Sequence, residues 1–280
     1  MAVENALHTI LTEKIKQGAL VLPTLPKVAL KVRTAADNPD INLNHMSDII
    51  GHDPALSLGL IKVANSALLG RTVKVQSVSQ AVTRIGLRQI KSLATAMAIE
   101  QVFFSKNEVV AVYMQKSWEE TVDVASVAVS LMSFYLEKNK HTAFNLDMLT
   151  LASLVHNIGV LPILTEAEQY PDVFANPTFL QQAIAKLSGK IGGSITREWG
   201  FSDELTELTE SWSDLTLLPK EIHYLDFIRA GAVYHNIFKN KSTQEALLNS
   251  YVKKGILPDI EFMETEEFKN KCSNVKSMFV

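Results

Sequence analysis

The segment DPALSLGLIKVANSALLG, residues 53–70, is the strongest indication of the fold. Asp53 is a suitable N-cap, because its carboxylate can accept a hydrogen bond from an amide in the first turn of a helix. Pro54 is favoured at the next position, where the missing backbone N–H has no helical partner to lose. Apolar residues follow at helical spacing. We therefore expect a helix that ends near Leu68, with Gly70 as its stop.

The segments on both sides of this helix also have clear local signals. SVSQAVTRIGLRQIKSLATAMAI (77–99) begins with the serine and glutamine of a capping box, and Gly86 separates a short helix from a longer one. LPTLPKV (22–28) is predicted to be a short extended linker that runs into a helix. In residues 71–76 valines alternate with other residues, which indicates an extended connector rather than a strand of a sheet.

The rest of the chain also has helical spacing of its apolar residues, with a long and largely buried helix expected at 109–136. We find no βαβ alternation and no repeat of fixed period. The fold class predicted is therefore all-α, a multi-helical bundle in two lobes. Shorter helices are predicted near 177–187, 189–199, 202–213 and 219–238. The predicted divisions are an N-terminal lobe at 1–107, a second lobe at 108–241 and a C-terminal helical tail at 242–280.

Composition narrows the classes of function. The 280 residues carry 27 basic and 30 acidic side chains, for a net charge of −3, so nucleic acid is disfavoured as a partner. The single cysteine, Cys272, excludes a disulfide framework. We identify no signal peptide and no apolar run near the roughly 20 residues that span a bilayer. We expect a cytoplasmic protein without membrane contact.

Three blocks in this order, 22–28, 53–70 and 77–99, resemble the HDOD domain, a bacterial signalling module related to HD-type phosphohydrolases. The resemblance continues more weakly to about residue 240, so that residues 22–240 together are expected to form one HDOD domain. Its signature residues are expected to be structural rather than reactive. We expect a buried Asn65 to bond to backbone groups and fix the following connector. The signature residues are Asp53, Pro54, Asn65, Ser66 and Gly86.

The resemblance draws attention to LASLVHNIGVLPIL (151–164), an apolar segment that contains His156 and Asn157. HD-type phosphohydrolases have an adjacent His–Asp pair there, which binds metal ions that activate water. In this chain the aspartate is replaced by Asn157, and Glu120 stands where the family has an upstream histidine. The amide brings no charge and is a poor bridging ligand. We interpret the three residues as a vestigial metal site and expect no metal, no other cofactor and no catalytic residue.

Two features leave alternatives open at this point. Arg84, Arg88 and Lys91 form a stripe at helical spacing, which is either a solvated face, the interpretation we favour, or a contact for a phosphate-bearing, nucleotide-like ligand. Asn157 opposite Glu120 can replace metal coordination with a hydrogen-bond network.

Two hypotheses about function follow. The first is a non-catalytic signalling module that binds a small ligand or signalling proteins in trans. The second is a residual metal-dependent hydrolase of a phosphoester or cyclic dinucleotide, which would use His156, Glu120 and downstream histidines such as His223 and His235. A third and weaker hypothesis, a regulator that binds nucleic acid, requires strongly salt-dependent binding.

Overall fold

The computed structural model of the chain describes residues 2–66, 69, 73–170 and 177–279. The helix that begins at Pro54 ends at Ala64, so the end predicted near Leu68 is wrong. Residues 68 and 70 themselves, the predicted end and its glycine stop, lie outside the described residues. No β-strand occurs among the described residues, and the all-α prediction is confirmed. The α-helices are α1 (Ala2–Lys16), α2 (Lys27–Ala36), α3 (Leu43–Gly51), α4 (Pro54–Ala64), α5 (Val78–Ile85), α6 (Leu87–Ala98), α7 (Glu108–Lys138), α8 (Leu146–Val155), α9 (Val160–Ala167), α10 (Pro177–Glu198), α11 (Asp203–Ser211), α12 (Tyr224–Tyr234), α13 (Lys241–Lys253) and α14 (Glu266–Lys276). Short 3-10 helices cover Ile99–Val102 and Phe262–Glu264.

The helix starts in the first hundred residues follow from their capping residues. Asp53 Oδ1 accepts a hydrogen bond from the Leu56 amide at 2.9 Å, and Pro54 occupies the first helical position of α4. Ser77 caps α5 in the same way. Gly86 ends α5 and begins α6 with a φ of 87°, a conformation that is open to glycine without a steric penalty. The predicted helix starts and the boundary at Gly86 are confirmed. The capping box is not completed, because Gln80 Oε1 accepts from the Gln76 amide at 2.9 Å and not from the Ser77 amide.

The connector after α4 is held by side chains that bond to its backbone. Asn65 Nδ2 donates to the Val75 carbonyl at 2.9 Å, and Asn65 Oδ1 accepts from the Val75 amide at 2.7 Å. The Arg84 guanidinium donates to the carbonyls of Ala64 at 3.1 Å and Val73 at 2.5 Å. Asn65 is exposed rather than buried, so that part of the prediction is wrong, but its amide does fix the connector.

A buried ion pair joins α12 to the end of α13. Asp226 accepts from the backbone amide of His223 at 2.9 Å, which completes a capping box at the start of α12. The same carboxylate accepts two hydrogen bonds from Lys254 Nζ, at 2.9 and 2.8 Å. Because both side chains are largely removed from water, the loss of either one would leave the other as an uncompensated charge.

Helix α10 is one continuous helix, where the sequence predicted two. The prediction placed a break near its glycines, which are poor helix formers. In the structure Gly189, Gly192 and Gly193 lie where α11 approaches most closely. A Cβ on Gly193 would be 2.1 Å from Glu210 Cγ, and one on Gly192 would be 2.7 Å from Thr209 Cγ2. The glycines therefore permit close helix packing and do not end the helix.

The chain divides into two compact units, each assembled from segments that are separated in sequence. The first, which we name the His156 unit, contains residues 1–24, 101–121 and 154–218. The second, which we name the Arg88 unit, contains residues 25–100, 122–153 and 219–280. This division differs from the consecutive lobes predicted at 1–107 and 108–241, because α7 and α8 each contribute residues to both units.

Helices α8 and α9 together form a long apolar stretch. Leu146–Ala167 is long and apolar enough to cross a membrane, and 83% of its most apolar window is buried within the protein. The sequence was expected to contain no apolar run of this length. Burial on this scale is that of a core helix in a soluble protein.

We expect the substitution Asn65→Ala to lower the free energy of unfolding by about 1–3 kcal/mol, because the Val75 amide and carbonyl lose their partners. Urea denaturation measures the change. Lys74→Ala, an exposed substitution in the same connector, is the control and should change stability by less than about 0.5 kcal/mol. Equal effects of the two substitutions would contradict the role given to Asn65.

Candidate functional site

His156 and Asn157 lie in the turn that joins α8 to α9, and not inside a helix as the sequence predicted. The His156 side chain is 2% exposed. Its ring makes a T-shaped contact with the Trp212 ring, with centroids 4.5 Å apart and an angle of 88° between the planes. Trp212 is also buried and directly follows α11. The histidine is therefore packed against an aromatic ring in the core of its unit.

Asn157 and Glu120 do not form the hydrogen-bond network that the sequence suggested. Asn157 Oδ1 is buried and accepts no hydrogen bond from the described residues. Glu120 lies on the exposed side of α7, and its carboxylate has no hydrogen-bond or ion-pair partner within the described segments. A polar network between these two side chains therefore does not hold the turn in place.

Close packing holds the turn instead. A Cβ on Gly159 would be 1.9 Å from the Ser188 carbonyl oxygen and 2.6 Å from the Gly192 amide nitrogen. Real Cβ atoms do not approach backbone so closely, so only glycine permits α9 to lie this near α10. Helix α10 also carries the glycines against which α11 packs, and Trp212 is the residue that follows α11. Successive close contacts thus bring Trp212 to His156.

The residues of this unit do not fit the metal ion that HD-type relatives bind. No group of three His, Cys, Asp or Glu side chains converges within the described parts of the chain in a way that could hold an ion. A divalent cation needs several nitrogen or oxygen ligands, and a bridging position needs a carboxylate. His156 has an indole beside it, and the nearest position in sequence offers a neutral amide.

The downstream histidines have local roles in the Arg88 unit. His223 caps α12, where its Nδ1 accepts from the Leu225 amide at 3.3 Å. His235 follows the same helix. Burial lowers the pKa of His235, and the negative charge of Asp123 opposes this shift without cancelling it. Each histidine is therefore explained by its own surroundings.

The side chains of Arg84, Arg88 and Lys91 lie in three different environments. Arg84 binds the backbone carbonyls of the connector, as described above. Lys91 forms an ion pair with Asp37. Arg88 lies at the edge of an open cleft, and within the described segments its guanidinium makes no hydrogen bond. The three cations therefore do not act together on one ligand.

The cleft beside Arg88 has a volume of about 770 Å³ and lies entirely within the Arg88 unit. Its polar lining includes Asp147 and Gln89, and its apolar lining includes Phe144 and Leu93. Burial raises the pKa of Asp147, while the positive charge of Arg88 acts to lower it. Volume and lining are those of a small-molecule site, mostly apolar with a few polar groups.

Sequence reasoning missed the partners of both sites. For Trp212 the available signal was a tryptophan in the region where the related family has histidines. Asn145 caps α8, since its Oδ1 accepts hydrogen bonds from the amides of Asp147 and Met148, and Asp147 lines the cleft instead. Nothing in the sequence pattern points to Phe144 as a wall of the cleft.

Comparison with known proteins places this architecture. The family model described as HDOD domain matches residues 22–214. A crystal structure from Shewanella amazonensis SB2B, provisionally described as a metal-dependent phosphohydrolase, is 42% identical, with a TM-score of 0.94 and full coverage of both chains. An HDOD domain protein of unknown function from Geobacter sulfurreducens is 18% identical, with a TM-score of 0.65 and 99% coverage of both chains, and shares the fold.

A curated relative from Treponema pallidum (strain Nichols), described as uncharacterized, is 26% identical over 192 residues. The match covers 69% of this chain and 35% of the relative. This chain therefore spans about a third of the length of that protein.

We expect Gly159→Ala to destabilise the protein by more than about 4 kcal/mol or to prevent folding, because the new Cβ would overlap the Ser188 carbonyl. Thermal unfolding and the soluble yield measure the effect. Gly51→Ala is the matched control, since Gly51 lies in α3 with nothing within 4 Å of its added Cβ. That control should be stabilising by up to about 1 kcal/mol. A Gly159→Ala protein as stable as the control would contradict the close packing at this turn.

Proposed function

The chain belongs to the HDOD domain family, and from this premise we propose that it is a non-catalytic signal-transduction module. It works by binding a signalling protein in trans or a small ligand, and it responds through the helical scaffold. The family and the fold support a signalling-related, HD-like module. The absence of catalysis and the mode of binding are our proposal.

The contact between His156 and Trp212 carries this proposal. In HD-type enzymes the histidine of this pair is a metal ligand whose neighbouring carboxylate supplies negative charge. Here the imidazole packs against an indole, the neighbour is an amide, and Glu120 is exposed. A water molecule must be acidified by a cation before it attacks a phosphoester near neutral pH. This donor set supports no such step.

The surface of the Arg88 unit supports binding in trans. The segment from Asp259 to Glu267 presents several exposed carboxylates, of which Glu264 is paired with Lys269 at 2.9 Å. A cluster of one sign favours a partner of opposite sign and speeds its association. We propose a cytoplasmic partner with a basic surface. The overall net charge of −3 argues against nucleic acid, and we propose no membrane contact.

The alternative is a residual metal-dependent phosphohydrolase that acts on a phosphoester or cyclic dinucleotide. One observation favours it, the provisional description of the Shewanella amazonensis relative as a metal-dependent phosphohydrolase. In this chain the alternative would have to rest on His156 and Glu120, together with ligands that enter only after a rearrangement of Trp212.

We expect the purified protein to contain less than one equivalent of manganese, iron or zinc per chain and to hydrolyse no phosphoester with added Mn²⁺ or Mg²⁺. The reason is that no set of converging ligands occurs among the residues that the structure describes. Elemental analysis and assays with p-nitrophenyl phosphate and cyclic dinucleotides provide the measurements.

His156→Ala and His141→Ala form the matched pair for this assay, since His156 is buried beside Trp212 and His141 is exposed. Metal-dependent turnover that is lost in His156→Ala and retained in His141→Ala would overturn the non-catalytic proposal.

A further inference from the structure

The cleft of the Arg88 unit has the features of a ligand site that no family relationship assigns. We propose that it binds a small organic anion with one anionic group and a flat aromatic body, of the type of a nucleoside monophosphate. Arg88 binds the anionic group, Phe144 and neighbouring apolar side chains contact the body, and Asp147 accepts hydrogen bonds from its edge. This inference deepens the proposed binding function and rests on it.

The position of Arg88 is electrostatically unfavourable for the stability of the protein. It is the second residue of α6, and the positive end of the helix dipole in the N-terminal turn repels a cation. Its guanidinium makes no hydrogen bond within the described part of the chain. Arg84 and Lys91, on the same stripe, both have such partners. Arg88 is thus the member of the stripe that is left available for a ligand.

Asp147 lies in the first turn of α8 and lines the same cleft as Arg88. The two side chains interact electrostatically, yet they form no ion pair within 4.0 Å. Opposite charges that face one cleft without meeting leave room for a molecule that pairs with both. A carboxylate accepts hydrogen bonds at both oxygens, so an edge with two adjacent N–H donors matches it best.

Phe144 supplies a rigid apolar wall. Its ring makes T-shaped contacts with Tyr224 at 5.1 Å, and with Tyr135 and Phe227 at 6.1 Å between centroids. Tyr224 also accepts a hydrogen bond from the Asn145 amide at 2.8 Å, which fixes the backbone beside Phe144. A ring fixed in this way loses little entropy when a flat molecule stacks against it.

Size and charge limit the ligand class. The volume of about 770 Å³ lies within the range of small-molecule sites. Among the described lining residues Arg88 is the one cation, which suits one phosphate and not a chain of several. Of the common bases, guanine presents two adjacent N–H donors on its Watson–Crick edge, whereas adenine presents one amino group. We therefore expect a preference for GMP over AMP.

Isothermal titration calorimetry on the full chain tests the proposal with GMP, AMP, guanosine and inorganic phosphate as probes. We expect GMP to bind with a Kd of about 100 μM or below, and guanosine and inorganic phosphate to bind at least about tenfold more weakly. Arg88→Gln should remove the advantage of GMP over guanosine. Asp147→Asn should remove the advantage of GMP over AMP.

Lys91→Gln is the matched control, since it removes the same charge from the same helix but lies outside the cleft lining. It should bind GMP as the unchanged protein does. Melting curves establish that each variant is folded. If Arg88→Gln does not fold, the comparison of GMP with guanosine in the unchanged protein decides on the phosphate contact.

Three outcomes would overturn the proposal. They are the absence of nucleotide binding, GMP binding that is unchanged in Arg88→Gln, and inorganic phosphate binding as tight as that of GMP, which would show a simple ion site. Decanoate serves as a further probe. If it binds tightly and no nucleotide binds, the nucleotide proposal is wrong and the cleft takes an aliphatic anion. A negative result in these binding experiments would not contradict the proposal of a non-catalytic module. Metal-dependent hydrolysis would contradict that proposal.

Discussion

The close approach of α9 to α10 at Gly159 is the constraint on which the His156 unit depends. It leaves no room for a Cβ, because the Ser188 carbonyl and the Gly192 amide are already in contact distance. The glycines of α10 then receive α11, and α11 ends directly before Trp212. The T-shaped contact between Trp212 and His156 is the product of these steps. Backbone packing thus places an aromatic ring against His156.

The Arg88 unit is organised by a different kind of interaction. Its connectors and helix ends are held by polar side chains that bond to nearby backbone, as Asn65 does with Val75 and Asp226 with His223. These contacts satisfy polar backbone groups locally. Arg88 and Asp147 stand out because they share a cleft and do not form an ion pair. A binding role is consistent with both units, since the described residues of the His156 unit include no converging set of metal ligands and the Arg88 unit keeps polar groups available.

The sequence predicts a structural feature well when the residues that cause it are close together in the chain. Asp53, Ser77 and Gly86 act on the backbone within a few residues, so their helix ends were predicted correctly. The continuity of α10 was not predicted. Its glycines allow α11 to pack closely, and α11 is a separate segment of the sequence. The exposure of Asn65 and the contact of His156 with Trp212 depend on packing between distant segments. The two discontinuous units escaped prediction for the same reason, since α7 and α8 each serve both.

The substitution Asn157→Asp tests the central claim most directly, because it restores the carboxylate that HD-type enzymes have beside the histidine. If packing and not one missing charge prevents metal binding, the variant should melt at a lower temperature than the unchanged protein, since Asn157 Oδ1 is buried and accepts no hydrogen bond from any residue in the described part of the chain. Added Mn²⁺ should not reverse this loss in a thermal unfolding experiment. A melting temperature raised by Mn²⁺ to that of the unchanged protein, with one equivalent bound, would contradict the account.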